Sequence, residues 1–331
     1  MEAGQFTVGK KFKLNKILIL VGNAVINPNT LENLSVNYSV IKTESKDLKT
    51  ILNMYQDIFA LWIHFDTFLS RDYLRYLKKT KYLITTTTAL THIDSEIIDY
   101  FGKNLVYLKS ESEILKNVSS TAELAWIFIM LSNNNINKAF ETVKSGKWDR
   151  QNNLRQRQLS SVKLGIVGFG RLGKIVANFA NAFNMKVYIY DNNPSKILEA
   201  EQTDFICVNS VDDLIRECDI VTLHAKVSKN REKIISKRNL MILTKPLTLI
   251  NTARGSLVDE AAVIEEIESR PYLNYYTDVL EFEENGANLE DSKLWKMSLL
   301  TDRVQITPHI GGANLEAIKI CENLLFQALI N

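Results

Sequence analysis

Short apolar runs alternate with amphipathic stretches along almost the whole chain, and that alternation predicts strands joined by helices. In the first third, strands are expected near 16–21, 36–41, 58–63, 81–85 and 105–108. Helices are expected near 45–54, 70–79 and 94–101, the last stopped by Gly102. Asn23, Asn27 and Asn29 mark the segment after the first strand as a loop, and the first dozen residues read as a loose leader. Strands that alternate with helices imply right-handed crossovers and a parallel sheet covered on both faces, so the first hundred residues make an α/β unit of their own. Residues 120–145 read as one long helix, with Ser119 or Ser120 and Glu123 giving a capping-box-like start. Its first half is apolar nearly all round, which predicts burial on several sides, between domains or against a partner subunit. The polar stretch 150–161 shows no core pattern and reads as a surface connector. Beyond it a second doubly wound pattern begins, with strands expected at 162–167, 186–190, 219–223, 247–251, 273–277 and 304–306.

The first of these later strands leads into the sequence GFGRLG, which puts Gly168, Gly170 and Gly173 at the G-x-G-x-x-G spacing, with Arg171 and Leu172 inside it. The first glycine permits a tight turn, the second lets backbone N-H groups approach a pyrophosphate, and the third lets the helix pack on the strand. Asp191 ends the next strand 18 residues past Gly173, where an acid would receive the ribose hydroxyls of a dinucleotide. Its charge would repel a 2′-phosphate, and Asn192, Asn193 and Pro194 offer no arginine to receive one, so NAD is favoured over NADP.

Composition narrows the class. A chain of 331 residues with 46% hydrophobic and 24% charged residues is an ordinary globular protein with room for two cores. A net charge of +2 calls for neither nucleic acid nor an anionic membrane as partner, and no apolar stretch is expected to reach the roughly 20 residues that span a bilayer. Cys207, Cys218 and Cys321 have no metal-like or redox-like spacing, which suits buried free thiols in a cytoplasmic protein, and no metal set is expected.

The ends of the later strands carry the chemistry. His224 follows the strand at 219–223, Arg254 and Gly255 follow 247–251, Asp278 and Glu283 follow 273–277, and His309 follows 304–306. In a parallel sheet these ends share the side on which ligands bind, so Arg254, Glu283 and His309 form a constellation although 29 and 26 residues separate them.

INTARGSLVDE at 250–260, TDVLEFEE at 277–284 and ITPHIGG at 306–312, with GFGRLG, resemble the D-isomer-specific 2-hydroxyacid dehydrogenase family, and HID at 92–94, TAE at 121–123 and GKWDR at 146–150 resemble it in order. The resemblance implies two Rossmann-like or flavodoxin-like parallel-sheet domains: a discontinuous substrate domain, 1–108 with 309–331, and an NAD-binding domain, 109–308. It implies interconversion of a small 2-keto acid and the D-2-hydroxy acid. His309 would then be the acid and base, Glu283 its partner, since a carboxylate favours imidazolium. Arg254 would grip the substrate carboxylate and carbonyl in a fork that lysine cannot reproduce. Asp278 would contact the nicotinamide end, with Thr252 and Ala253 lining that pocket and Gly311 and His224 beside the cofactor. Where many relatives hold the substrate carboxylate on a glycine loop, this chain has Thr85 to Thr88 and Ala89, so the hydroxyls of Thr87 and Thr88 are expected to donate there. An NAD(H)-sensing, corepressor-like protein on the same fold is the alternative to the enzyme, and the apolar helix around Trp126 predicts a homodimer.

Overall fold

The computed structural model describes residues 15–20, 26–43, 47–65, 67–108, 113–134, 136–153, 157–227, 232–284 and 288–330. The expected leader, Val21 and Asn23 lie outside these residues, as do 154–156 of the connector. Over the described residues the chain divides into two compact units, Met1–Lys109 with Ile318–Asn331, and Ser110–Ala317. His309, where the sequence reading placed the second boundary, therefore lies in the second unit, nine residues before Ile318, where the first unit resumes.

The first unit is a five-stranded parallel sheet of β1 (Asn15–Leu20), β2 (Tyr38–Thr43), β3 (Ala60–Ile63), β4 (Tyr82–Thr85) and β5 (Leu105–Tyr107). The strand order β2-β1-β3-β4-β5 is the flavodoxin-like winding. Ile17 to Leu20 and Ala60 to Ile63 are buried, as strands covered on both faces require. Helix α1 (Pro28–Asn37) replaces the loop expected around the asparagines: Asn27 caps it by accepting from the Asn29 N-H at 3.0 Å, and Pro28 fits its first turn. Because α1 runs to Asn37, the second strand begins two residues later than its apolar pattern suggested. Helices α2 (Leu48–Met54) and α3 (Ser95–Phe101) follow their expected places, and α3 ends at Gly102 with φ of +47°. The helix expected at 70–79 is a shorter 3-10 segment, Arg71–Tyr76.

The second unit opens with α4 (Ser120–Asn133) and α5 (Ile136–Lys144), two helices where one was expected. The break falls in a run of asparagines, and Asn134 turns its amide back onto the Met130 carbonyl at 2.7 Å, the local bond by which such residues compete with the helix. Ser119 bonds the Glu123 carboxylate instead of the backbone, so the expected capping box does not form. One segment, Glu113–Asn133, is by length and composition apolar enough to cross a membrane, contrary to the sequence expectation. In the fold its helical part buries Ala122, Leu124, Ala125, Phe128 and Ile129 in the core of this unit. The connector is also not purely superficial, since Leu159 is buried in the same core.

A seven-stranded parallel sheet then forms from β6 (Lys163–Val167), β7 (Lys186–Tyr190), β8 (Ile206–Cys207), β9 (Ile220–Leu223), β10 (Leu247–Asn251), β11 (Leu273–Thr277) and β12 (Val304–Ile306). The order is β12-β11-β10-β9-β6-β7-β8, so the winding reverses at β6. The crossovers carry α6 (Arg171–Ala182), α7 (Pro194–Ala200), α8 (Val211–Glu217), α9 (Lys237–Met241), α10 (Glu260–Ser269) and α11 (Lys293–Ser298), whereas α12 (Leu315–Ile330) belongs to the first unit from Ile318 on. Buried aliphatic residues on both faces of β6, β9 and β10 explain why these strands read as continuous apolar runs.

Candidate active site

All seven strands are parallel, so their carboxyl ends form one edge, and strand order turns scattered residues into a row along it. From one side to the other stand the loop of His309 after β12, Asp278 after β11, Thr252 to Arg254 after β10, His224 after β9, Gly168 after β6 and Asp191 after β7. The crevice where the order reverses, between β6 and β9, is where such sheets bind ligands.

At that point the chain bends tightly. Gly168 has φ of +96°, and a Cβ there would come within 2.8 Å of the Ala225 nitrogen, while one at Gly173 would fall 2.0 Å from the Gly168 carbonyl oxygen. A Cβ at Gly170 would meet nothing within 4 Å, leaving the open approach that a diphosphate needs. No side chain caps α6, so the N-H groups of its first turn remain for an anion. Arg171 turns away, donating to the carbonyls of Leu115 and Val118, and Leu172 packs into the core; both serve the fold around the turn. Asp191 accepts from the Phe169 N-H at 2.7 Å with one oxygen and from the Asn193 N-H at 2.8 Å with the other. The acid at the end of β7 thus pins the glycine turn to its neighbour strand while each oxygen keeps further acceptor capacity.

His224 is anchored by its own N-H to the Val167 carbonyl at 2.8 Å, and its Nε2 lies 3.1 Å from the Thr222 hydroxyl. Burial pushes its pKa down to about 4, so the ring is neutral near pH 7 and no proton donor. Its Nδ1 and the Thr252 hydroxyl are buried polar atoms with no partner in the protein, the kind of orphan that a bound polar ligand satisfies. Together with the open Gly170 face and the uncapped helix, these atoms fit a dinucleotide lying along the edge.

Asn251, fully buried at the end of β10, organises the next loop. Its amide oxygen accepts from Ala253 N-H at 3.0 Å and its nitrogen donates to the Arg254 carbonyl at 2.9 Å, while the Arg254 guanidinium donates to the Ala253 carbonyl at 2.6 Å. The sequence reading passed over Asn251, although it stands inside the motif at 250–260.

Asp278 follows β11. Its carboxylate is buried and accepts from the Thr307 hydroxyl at 2.6 Å, the Ile310 N-H at 2.8 Å and the Gly311 N-H at 2.7 Å. It is the anchor of the loop that carries His309, and the oxygen that takes only the Gly311 N-H keeps further acceptor capacity. Burial holds this carboxyl above its ordinary range against the pull of those donors. Thr307 and Gly311 are thereby loop-forming residues. His309 itself donates its backbone N-H to the Asp278 carbonyl at 2.9 Å and adopts φ of +53°, a left-handed conformation that a histidine holds only when its surroundings impose it. In that pose Nδ1 meets the Glu283 carboxylate, whose second oxygen accepts the Leu280 N-H at 2.7 Å. A histidine oriented by a carboxylate, with its ring partly exposed, is an arrangement for general acid and base chemistry.

The threonine loop lies in the first unit. Thr87 donates its hydroxyl to the Ala89 carbonyl at 2.7 Å, and Thr85 lies 3.2 Å from His92 Nε2 and 3.3 Å from the Thr87 hydroxyl. Thr87 is thus engaged within its own loop, against the expectation that it donates to a ligand, whereas Thr88 is exposed.

Residues 126–311 match the family model described as D-isomer specific 2-hydroxyacid dehydrogenase, NAD binding domain. The chain is 27% identical over 278 residues to hydroxypyruvate reductase of Thermotoga maritima, covering 84% of this chain and 85% of that one. It is 28% identical to D-3-phosphoglycerate dehydrogenase of Methanocaldococcus jannaschii over 84% of its own length and spans half of that relative. Its fold resembles that of D-lactate dehydrogenase from Aquifex aeolicus, solved with NAD and lactic acid, with a TM-score of 0.79, 21% identity and coverage of 95% and 94% of the two chains.

Proposed function

The chain belongs to the D-isomer specific 2-hydroxyacid dehydrogenase family, and from that premise we propose that it reduces a small 2-keto acid to the D-2-hydroxy acid with NADH and catalyses the reverse oxidation with NAD. The observation that carries this reading is the contact of His309 Nδ1 with Glu283 on the same sheet edge as the glycine turn.

NADH, when bound, supplies the hydride that reaches the keto carbon. Arg254, tethered through Ala253, presents a planar guanidinium to the substrate carboxylate and keto oxygen. With Nδ1 turned to Glu283, His309 delivers the balancing proton through Nε2 to the keto oxygen and recovers it from solvent. Glu283 keeps the ring in this orientation. His224, neutral near pH 7, takes no part in the proton transfer.

We propose further that the protein works as a cytoplasmic homodimer. Support comes from the exposed apolar residues Ile127, Ile136, Phe140 and Val143 on α4 and α5, and from a content of only three cysteines, which suits a reducing compartment. A panel of 2-keto acids with NADH, followed by loss of reduced-nicotinamide absorbance, tests the activity. His309→Ala is expected to leave NADH binding by fluorescence unchanged while turnover falls roughly 10²- to 10⁴-fold; full activity in that variant refutes the mechanism.

A further inference from the structure

Helix α10 begins with Glu260, one residue after its cap Asp259, and Glu260 is partly buried. It reaches the turn Leu280–Glu284, where its Oε1 accepts the Glu281 N-H at 2.6 Å. The preceding N-H of the same turn, that of Leu280, is taken by Glu283, and the other oxygen of Glu283 holds His309. Two carboxyl groups thus grip consecutive peptides of one turn, one from the helix behind it and one from within it. The turn is also pressed against Gly255, where a Cβ would lie 2.2 Å from the Leu280 carbonyl carbon, so it has no room to shift toward the Arg254 loop.

We propose that Glu260 is a positioning residue, which fixes the turn from which Glu283 reaches the His309 imidazole and sets its own ionisable group behind that pair. This rests on the reading of Glu283 and His309 given above. Charged neighbours face Glu260 from several sides: Glu281 and Glu283 on the turn, Lys233 ahead of α9, paired with Glu281 at 3.0 Å and lying 3.9 Å from Asp259, and the buried Tyr275 phenol of β11. Burial, first of all, pushes the Glu260 carboxyl up to about 7, with the Glu281 N-H pulling the other way. Below that pH the turn is held by a neutral acid; above it a third carboxylate charge stands behind Glu283. The Glu283 charge also raises the Glu260 carboxyl, so the two carboxyl groups are electrostatically linked.

The test compares Glu260→Gln, which keeps an oxygen acceptor but never ionises, with Glu260→Ala, which removes the acceptor, each checked for folding by circular dichroism. Turnover of the best keto acid in Glu260→Ala is expected to fall by roughly 10- to 100-fold, the scale on which misplacement of a reacting group acts, with KM for NADH unchanged. At pH 6 Glu260→Gln is expected to restore that loss. The second readout needs no turnover: the His309 ring proton is followed by NMR against pH, its resonance assigned by its absence in His309→Gln. The unmodified protein should show a secondary inflection near the Glu260 titration, absent in Glu260→Gln. Wild-type turnover in Glu260→Ala, no restoration by Glu260→Gln at pH 6, or an inflection that persists in Glu260→Gln would each overturn the proposal. A protein that reduces no keto acid, yet loses the inflection in Glu260→Gln, would support the coupling and refute the activity alone.

Discussion

Replacing Asp278 with asparagine asks whether that buried carboxylate is the loop anchor that the structure shows or a contact for the cofactor. One of its oxygens takes the Thr307 hydroxyl and the Ile310 N-H, at 2.6 and 2.8 Å, and the other takes the Gly311 N-H at 2.7 Å. An asparagine of the same shape keeps the first pair on its oxygen, but its NH₂ then faces the Gly311 N-H, donor against donor. One charge-assisted bond is lost and one buried donor is left unsatisfied, which costs about 1.5–3 kcal/mol. His309 stands between these donors with φ of +53° and is held through the same residue's carbonyl, so relaxation of the loop moves the imidazole away from Glu283. Urea unfolding should show the midpoint lowered with an unchanged slope, and turnover should fall by roughly 10- to 100-fold. NADH affinity by fluorescence titration should hardly change. Normal stability combined with weakened NADH binding would refute the anchoring argument and return Asp278 to the nicotinamide.

Asp191→Ala should relax the preference for NADH over NADPH, measured as the ratio of kcat/KM values, because it removes a ribose acceptor and a repulsive charge. It should also loosen the glycine turn through the lost Phe169 bond, so absolute affinity for both cofactors drops; an unmodified protein that prefers NADPH would contradict the assignment. In the first unit Glu322 is fully buried and accepts the Asn27 N-H at 3.2 Å, and burial lifts its pKa above the ordinary 4.5. The folded state therefore binds this proton more tightly than the unfolded one, so this group's contribution to stability is full below pH 4.5 and is lost as pH rises through the folded pKa. Glu322→Gln should flatten the fall of Tm over that window, and an unaltered Tm profile would rule the effect out. Light scattering at micromolar concentration should give the mass of a dimer, and Phe140→Glu with Val143→Glu on exposed α5 should shift it toward the monomer.

Much of this molecule is written locally. The apolar runs of β6, β7, β10, β11 and β12 mark their strands because a parallel strand buried on both faces must be apolar throughout, and the glycine spacing marks the turn because no other residue tolerates those contacts. His309, Glu283 and Arg254 were legible as strand-end residues for the same reason. Local pattern misled where short polar residues serve two ends: the asparagines before α1 start a helix, while those after α4 stop one.

What the sequence by itself determined is the set of elements and the residue types at their ends. Only the tertiary structure decided what Asp278 and Glu260 hold. Asp278, Glu283 and Glu260 lie within 24 residues of one another and are chemically alike, yet one anchors a loop 33 residues away, one orients His309 across 26, and one braces a turn across 21. The physical reason is that a hydrogen bond is specific only over about 3 Å, whereas the partners that come within that reach are set by strand order and register, which no local run of residues encodes.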